Sequence, residues 1–154
     1  MVRTNIVKKF GYIYDPDYFI YAEDLDLSLR MRLLGYKTVF VPDAIIYHMH
    51  AATTKKSKNY KMTFLLERNL LMTYLKILSL RNIILFFPYV VFMRIMALIM
   101  DTITFKFATA FSRIKAIMWI IFHFNLINKK RKVLQKMRKA DDNFILKVFS
   151  EKYL

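Results

Sequence analysis

Residues 19–30 read Phe-Ile-Tyr-Ala-Glu-Asp-Leu-Asp-Leu-Ser-Leu-Arg, an aromatic stretch that runs directly into an acidic pair and an amphipathic segment. Acidic residues at the start of a helix are stabilised by its dipole, and Asp26 and Arg30 have the four-residue spacing of a helical ion pair. Leucines recur at helical intervals, at Leu25, Leu29 and Leu33. The pattern predicts a helix over 24–34 that ends at Gly35 and carries carboxylates at its first turn.

Short stretches with strand composition flank this helix on both sides. An aromatic run precedes it, and two β-branched and aromatic stretches follow it around a Pro-Asp turn. We therefore expect strands over 18–21, 38–41 and 44–47. Longer apolar and amphipathic segments come next, and we expect them to form helices over 60–80, 83–100 and 102–127.

Together these features resemble the acceptor-side half of family 2 glycosyltransferases, inverting GT-A enzymes that include many rhamnosyltransferases. The resemblance covers about residues 3–69. It rests on the Lys9-Phe10-Gly11 opening, the Asp15-Pro16-Asp17-Tyr18-Phe19 turn, Glu23-Asp24-Leu25-Asp26-Leu27 with Arg30, Gly35-Tyr36, Pro42-Asp43-Ala44, Tyr47-His48 and Arg68-Asn69. It implies an α/β fold for this part of the chain, namely the C-terminal part of a Rossmann-like GT-A domain. The apolar and basic segments that follow predict membrane-associated amphipathic helices.

The family's N-terminal half binds the nucleotide and ends in an Asp-x-Asp metal motif, and this sequence starts after the point where that motif would stand. Glycine occurs only at Gly11 and Gly35, so a glycine-rich loop that cradles phosphates cannot be built. We therefore expect a truncated or split enzyme that is inactive alone and needs the missing half or a complementing chain.

The acidic pair is the candidate catalytic group. In the family the aspartate of this motif is the general base, so the resemblance assigns Asp24 to remove the proton of the acceptor hydroxyl, with Glu23 orienting the acceptor or the base. The residues alone also allow both acids to be simple helix caps. Asp26 is assigned to the helix terminus, as the partner of Arg30.

Three further residues receive roles from the resemblance. His48 would complete a site for manganese or magnesium together with the missing half, and His50 is the alternate ligand. Arg68 and Asn69 would bind substrate, with the guanidinium on a phosphate of the donor or of a lipid-linked acceptor. A buried polar contact between helices is the alternative for this pair.

Charge is distributed very unevenly along the chain. The formal net charge is +15, yet residues 1–49 carry six basic and six acidic side chains, whereas residues 50–140 carry eighteen basic and two acidic ones. Seven of the eleven residues in 129–139 are basic. Phosphates of nucleic acid and of anionic lipid both attract such a segment. The neighbouring apolar run favours an anionic membrane over nucleic acid, and a merely solvated basic face is the alternative.

The apolar run over 82–100 contains Pro88 and one charge, Arg94. A bilayer core needs about 20 apolar residues, so the run is at the limit of spanning length, and we predict an interfacial or partly inserted helix. Residues 103–122 combine an aromatic-rich apolar face with a basic face, which is typical of an interfacial helix; packing on the protein's own core is the alternative. No secretion signal opens the chain, which indicates the cytoplasmic face of the cell membrane.

The sequence thus predicts three regions: an acceptor-side catalytic portion (1–52), a basic membrane-associated helical region (53–140) and a polar tail (141–154). The first functional hypothesis is inverting transfer of a sugar from a nucleotide-sugar donor to a cell-surface polysaccharide or lipid-linked acceptor. The second is a non-enzymatic, basic membrane-surface or scaffold protein. No nucleic-acid partner is expected under either hypothesis.

Overall fold

The computed structural model describes residues 4, 7–8, 11–37, 41–45, 47 and 59–147. Helices dominate this part of the chain: α1 (Glu23–Leu33), α2 (Asn59–Ile77), α3 (Leu80–Ile103), α4 (Phe107–Phe122), α5 (Phe124–Lys136) and α6 (Asp142–Leu146). No β-strand occurs within those ranges. The described fold is therefore all-helical.

The predicted α/β, Rossmann-like fold is wrong for the described residues. In the expected strand over 18–21, Phe19 and Tyr21 adopt left-handed backbone conformations with φ of 62° and 70°, which an extended strand does not allow. Carbonyl groups of this segment accept hydrogen bonds from the side chain of Asn69, where a sheet would use a neighbouring strand. The described parts of the other two expected strands, 41, 44–45 and 47, are irregular, and their remaining residues lie outside the described ranges.

Helix α1 matches the sequence prediction to within one residue at each end. Asp26 Oδ2 lies 2.7 Å from Arg30 Nε, which confirms the predicted ion pair. Gly35 has a φ of 82°, and the Tyr36 N–H donates to the Met31 carbonyl at 3.0 Å. The helix therefore ends in the glycine-dependent turn that the sequence indicated.

One hydrophobic cluster joins α1 to three helices that come much later in the chain. Its buried members come from α1, α2, α5 and α6: Leu29, Met31, Leu33, Leu34, Ile77, Leu134 and Ile145. These residues belong to all three regions that the sequence analysis separated. The short α6 is thus part of the packed structure, and the three-region division stays a prediction.

Helix α4 packs mainly against α2, and three of its four buried residues have small side chains. Its buried residues are Ala110, Ser112, Ala116 and Ile120, with Ile117 and Trp119 partly buried beside them, while six of its large apolar residues are exposed: Phe107, Phe111, Ile114, Met118, Ile121 and Phe122. Water-soluble helices bury the large residues instead. Small residues at the helix contact and large apolar ones outside are typical of helices that pack within a membrane.

Helix α3 is long and apolar enough to cross a membrane, as judged by length and composition. It has 24 residues and a mean hydropathy of 2.4 over its most apolar window, and none of that window is buried by the rest of the protein. The helix predicted over 102–127 is two helices, because the chain bends by 66° between α4 and α5. Neither α4 nor α5 is long enough to cross a membrane alone, but the two helices together are long enough if they form a single bent span.

Candidate active site

The 15–22 loop leads into α1 and is held by two neighbouring side chains of α2. A terminal guanidinium nitrogen of Arg68 donates to the carbonyls of Asp17 and Tyr18 at 2.7 and 3.0 Å. The Asn69 amide nitrogen lies 2.7 to 3.0 Å from three carbonyl oxygens, those of Tyr18, Ile20 and Tyr21. These two side chains therefore provide hydrogen-bond donors for four carbonyl groups of the loop.

Arg68 and Asn69 also support one another. Arg68 Nε donates to Asn69 Oδ1 at 2.9 Å, and the guanidinium lies 5.0 Å from the ring centre of Trp119 on α4. Both side chains are buried, and burial lowers the pKa of the Arg68 guanidinium. In this structure the pair that the sequence assigned to substrate binding contacts the loop backbone, and its role in substrate binding stays a prediction.

Three acidic and three basic side chains meet beneath the loop. Lys76 Nζ lies 2.7 Å from Asp15 Oδ2 and 2.9 Å from Asp26 Oδ1, and all three side chains are fully buried. Lys130 on α5 lies on the outer side of the group and forms ion pairs with Asp15 and Asp17. Arg30 forms an ion pair with Asp26. Equal numbers of opposite charges make this burial tolerable, because each carboxylate has a cation within contact distance.

Tyr18 lies at the centre of this charged group. Its hydroxyl donates to Asp26 Oδ1 at 3.1 Å and shares a hydrogen bond of 2.5 Å with Thr73 Oγ1. Burial, followed by the nearby Asp26 carboxylate, raises the pKa of the Tyr18 hydroxyl far above its usual value. Tyr18 is therefore a neutral hydrogen-bonding anchor that fixes the loop to α1 and α2.

The pKa values of the charged group reflect competition between burial and pairing. Burial raises the pKa of the Asp15 carboxyl, but Lys76 and Lys130 outweigh it, so this pKa lies below its usual value. Burial lowers the pKa of Lys130, but hydrogen bonds to Asp15 and Asp17 outweigh it, so this pKa lies above its usual value. Both groups are charged at neutral pH.

The candidate catalytic acids stand at the first turn of α1, directly after the anchored loop. Asp24 is exposed, and its Oδ1 accepts the Leu25 N–H at 2.7 Å. Glu23 Oε2 is buried and has no hydrogen-bond partner among the described residues. The N-cap residue of α1 is Ala22 and no side chain caps this end of the helix, so neither Asp24 nor Glu23 makes the hydrogen bond that the capping alternative requires.

The backbone before the acids is strained. Phe19, Tyr21 and Ala22 all have positive φ values, between 61° and 70°, although none of them is glycine. Such residues cost on the order of 1 to 3 kcal/mol each and tend to occur at functional sites. Here the strain is held by the hydrogen bonds from Arg68 and Asn69, so α2 determines how Glu23 and Asp24 are presented.

The metal prediction has no structural counterpart in the described part of the chain. His48 and His50 both lie outside it. No group of three histidine, cysteine or acidic residues that could hold a metal occurs in the described ranges. The manganese or magnesium site therefore stays a prediction.

Sequence reasoning missed the buried charged group. Asn69, Thr73 and Lys76 are spaced as i, i+4 and i+7 on α2, so they form a polar stripe on one face of the helix. That stripe was the available signal, and all three residues are buried against the loop and α1. Its partners, Asp15 and Tyr18, could be identified only from the structure.

The basic segment over 129–139 is only partly a solvated surface. Besides the contacts of Lys130, an Arg131 nitrogen donates to the carbonyls of Leu75 and Leu78 at 2.6 Å, and Arg138 pairs with Asp142. These side chains complete the C-terminal end of α2. The exposed members of the segment are Lys129, Lys132, Lys136 and Lys139.

A second set of opposite charges links α2, α3 and α4. Glu67 on α2 binds both Arg94 and Arg113, and Arg113 Nε lies 2.8 Å from Asp101 Oδ2. Arg94 is the only charge within the apolar run over 82–100, and it turns toward Glu67 at 3.6 Å. An arginine in an apolar helix is thus placed where the protein, and not lipid, surrounds its charge.

Comparison with known proteins gives no match to a family model, to a curated protein or to a solved structure.

Proposed function

We propose that the chain acts on the acceptor side of a glycosyl transfer reaction, in which a sugar passes with inversion from a nucleotide-sugar to a cell-surface polysaccharide or lipid-linked acceptor. One observation carries the proposal. Arg68 and Asn69, far from Glu23 and Asp24 in sequence, bind the strained loop that presents these acids. Two separate parts of the resemblance thus belong to one structural unit.

In this proposal Asp24 is the general base. Its exposed carboxylate can approach an acceptor hydroxyl, remove the proton and so let the oxygen attack the anomeric carbon. Glu23, beside it in the chain, orients the acceptor or the base, as the resemblance implies. Arg68 and Asn69 act as positioning residues, because their hydrogen bonds fix the loop from which both acids start.

Manganese or magnesium would offset the negative charge that develops on the nucleoside diphosphate leaving group. His48 is the proposed ligand from this chain. We also place the protein at the cytoplasmic face of the cell membrane, as a peripheral or partly inserted protein. Support comes from the uncovered apolar surface of α3 and from the exposed lysines of α5.

The test uses the native gene with all of its flanking sequence, mutated in its own host. Isolated membranes are supplied with radiolabelled nucleotide-sugars, and transfer to polysaccharide or lipid is measured. Asp24→Asn keeps size but removes basicity, so transfer falls by about 10² to 10⁴ while donor binding remains. Asp43→Asn, at another exposed aspartate, is the matched control and leaves transfer unchanged. Retention of more than about a tenth of the rate by Asp24→Asn contradicts the proposal.

The second candidate is a non-enzymatic, basic membrane-surface or scaffold protein. It is favoured by the extent of apolar surface on α3 and α4 that no described residue covers. Under this candidate the Asp24→Asn strain shows no change in any sugar transfer. Loss of membrane attachment, and not loss of transfer, then accounts for the full loss of function. The same pair of strains therefore separates the two candidates.

A further inference from the structure

A cavity of about 450 Å³ lies among α2, α3 and α4. Leu71 and Leu75 of α2 form one wall, Val90 and Leu98 of α3 form the second, and Ile117 and Ile120 of α4 form the third. The surface that these walls offer is entirely apolar. Neither the acidic pair nor the buried charged group contributes to it.

Most polar groups beside the cavity are already occupied, although Arg94 Nε is buried without a hydrogen-bond partner among the described residues. The Tyr74 hydroxyl donates to the Ile83 carbonyl, and Arg94 directs its terminal nitrogens to the Val90 carbonyl and Glu67. The single unpaired N–H offers a water molecule one partner, fewer than the about two to four that a buried water normally has, so water is a poor occupant. Hydrocarbon has no such requirement, and at roughly 30 Å³ for a water-sized group the cavity holds on the order of fifteen methylene groups.

The cavity is continuous with the outer apolar surface of the protein. Val91 and Ile95 line it and are also 36% and 50% exposed, and Phe87 and Ile121 line it and are more than half exposed. Phe87, Val91 and Ile95 belong to α3, whose spanning-length apolar window is not buried at all. A chain that leaves a bilayer around α3 therefore meets only apolar side chains on its way into the cavity.

Exposed basic residues stand near the ends of the helices that enclose the cavity. Arg81 lies in the first turn of α3 and Lys106 directly precedes α4. No acidic side chain in the described ranges pairs with either of them. These two residues lie at opposite ends of α3, so the anionic headgroup of a lipid whose apolar chain fills the cavity meets one basic side chain at whichever membrane surface it occupies.

We propose that the cavity binds one hydrocarbon chain of an anionic bilayer phospholipid. The chain lies between α3 and the α2–α4 pair and replaces the side-chain packing that α3 lacks there. This site is separate from the proposed reaction, because binding needs neither Glu23, Asp24 nor a sugar donor. Its success or failure is therefore independent of the proposed glycosyl transfer.

The experiment places the full chain in nanodiscs of phosphatidylcholine that contain phosphatidylglycerol with a photoreactive diazirine in one acyl chain. After irradiation, peptide mass spectrometry maps the labelled residues. We expect adducts on Leu71 and Leu75, which face the cavity from α2, in addition to adducts on the outward residues of α3. Unlabelled phosphatidylglycerol reduces the α2 adducts, whereas unlabelled phosphatidylcholine does not.

Leu75→Trp fills the cavity and lowers α2 labelling by about tenfold, which corresponds to about 1.4 kcal/mol of binding. Ile99→Trp adds the same bulk on the outer, exposed side of α3 and leaves α2 labelling intact. Circular dichroism checks that each variant folds, and Ile117→Phe, which narrows the cavity from α4, replaces Leu75→Trp if that variant does not.

Three results overturn the proposal. Labelling confined to the outward surfaces of α3 and α4 shows that no chain enters. Equal labelling of wild type and the cavity-filling variant shows that the α2 adducts arise elsewhere, and equal competition by phosphatidylcholine removes the anionic preference. Recovery of a dimer with an unlabelled cavity identifies a second copy of the chain, and not lipid, as the group that covers this face.

Discussion

Lys76 Nζ lies 2.7 Å from Asp15 Oδ2, and neither side chain is accessible to solvent. The same ammonium group is 2.9 Å from Asp26 Oδ1, so one lysine of α2 holds both the 15–22 loop and the first turns of α1. Since the acidic pair stands between these two attachment points, its position depends on a buried charge far from it in sequence.

Removing that charge is the first prediction. Lys76→Met keeps the length of the side chain but leaves two buried carboxylates short of a cation, so the free energy of unfolding falls by about 3 to 5 kcal/mol. Chemical denaturation in detergent micelles, followed by circular dichroism, measures the loss. Lys61→Met, at an exposed position of α2, is the control and changes stability little. A similar small effect of both substitutions would show that Lys76 is not structural.

The second prediction concerns acid. The pKa of Asp15 is lower in the folded protein than in the unfolded chain, so the folded state releases this proton more easily. The resulting stability is complete above the unfolded value, about 4, and is lost as pH falls through the lower folded value. Burial raises the pKa of Asp142, but hydrogen bonds from Ser79 and Arg138 outweigh it, so this pKa is also lowered in the folded protein. Asp142 therefore contributes to stability in the same direction as Asp15.

We therefore expect the denaturation midpoint of the wild-type protein to fall steeply below about pH 4. Asp15→Asn is less stable at neutral pH but loses less of its remaining stability on acidification. Midpoints measured for both proteins at neutral pH and in acid give the difference in slope. Parallel curves for the two proteins would contradict the assignment of this acid sensitivity to Asp15.

The third prediction tests how the strained loop is held. Asn69→Leu keeps a similar shape but leaves the Ile20 and Tyr21 carbonyls without their donor, and each unsatisfied group costs about 1 to 3 kcal/mol. The Tyr18 carbonyl keeps its hydrogen bond from Arg68. Amide hydrogen exchange over residues 17–24 should accelerate, while exchange in α5 stays slow. Asn125→Leu, at an exposed position of α5, leaves both regions unchanged. Unaltered exchange in the loop would mean that the hydrogen bonds from Arg68 alone are sufficient to hold the loop.

Local signals predicted α1 well. Leucine spacing, the Asp26–Arg30 interval and Gly35 all act within a few residues of one another, and the structure contains each of the expected contacts. The approximate positions of α2 and α3 followed for the same reason, because apolar periodicity and composition are local properties.

The strand prediction failed because the conformation of 18–21 is determined at a distance. Its aromatic composition suits a strand, yet Asn69 and Arg68 take up the carbonyls that a neighbouring strand would have used. Likewise, the local pattern over 102–127 contains no proline or glycine that predicts the bend at His123. Apart from the Asp26–Arg30 pair and the polar stripe on α2, the buried charged group could not be predicted, for a related reason: its members come from the loop, α1, α2 and α5.

The last prediction separates two kinds of membrane attachment. Each exposed lysine near an anionic bilayer contributes about 1 kcal/mol at low salt, whereas burial of the apolar surfaces of α3 and α4 is not screened by salt. The protein should bind anionic vesicles strongly, lose part of this binding at high salt and keep a remainder that only detergent removes.

Lys129, Lys132, Lys136 and Lys139 are exposed, so replacing all four by glutamine should abolish the salt-sensitive part and leave the detergent-sensitive part intact. Lys130→Gln is the contrasting control: its ammonium pairs with Asp15 and Asp17, so it should lower thermal stability with little effect on vesicle binding. Co-sedimentation with vesicles at low and high salt provides the measurement. If the wild-type chain stays in the supernatant beside anionic vesicles, the surfaces of α3 and α4 are covered by protein, and the membrane location is wrong whatever the outcome of the Asp24 experiment.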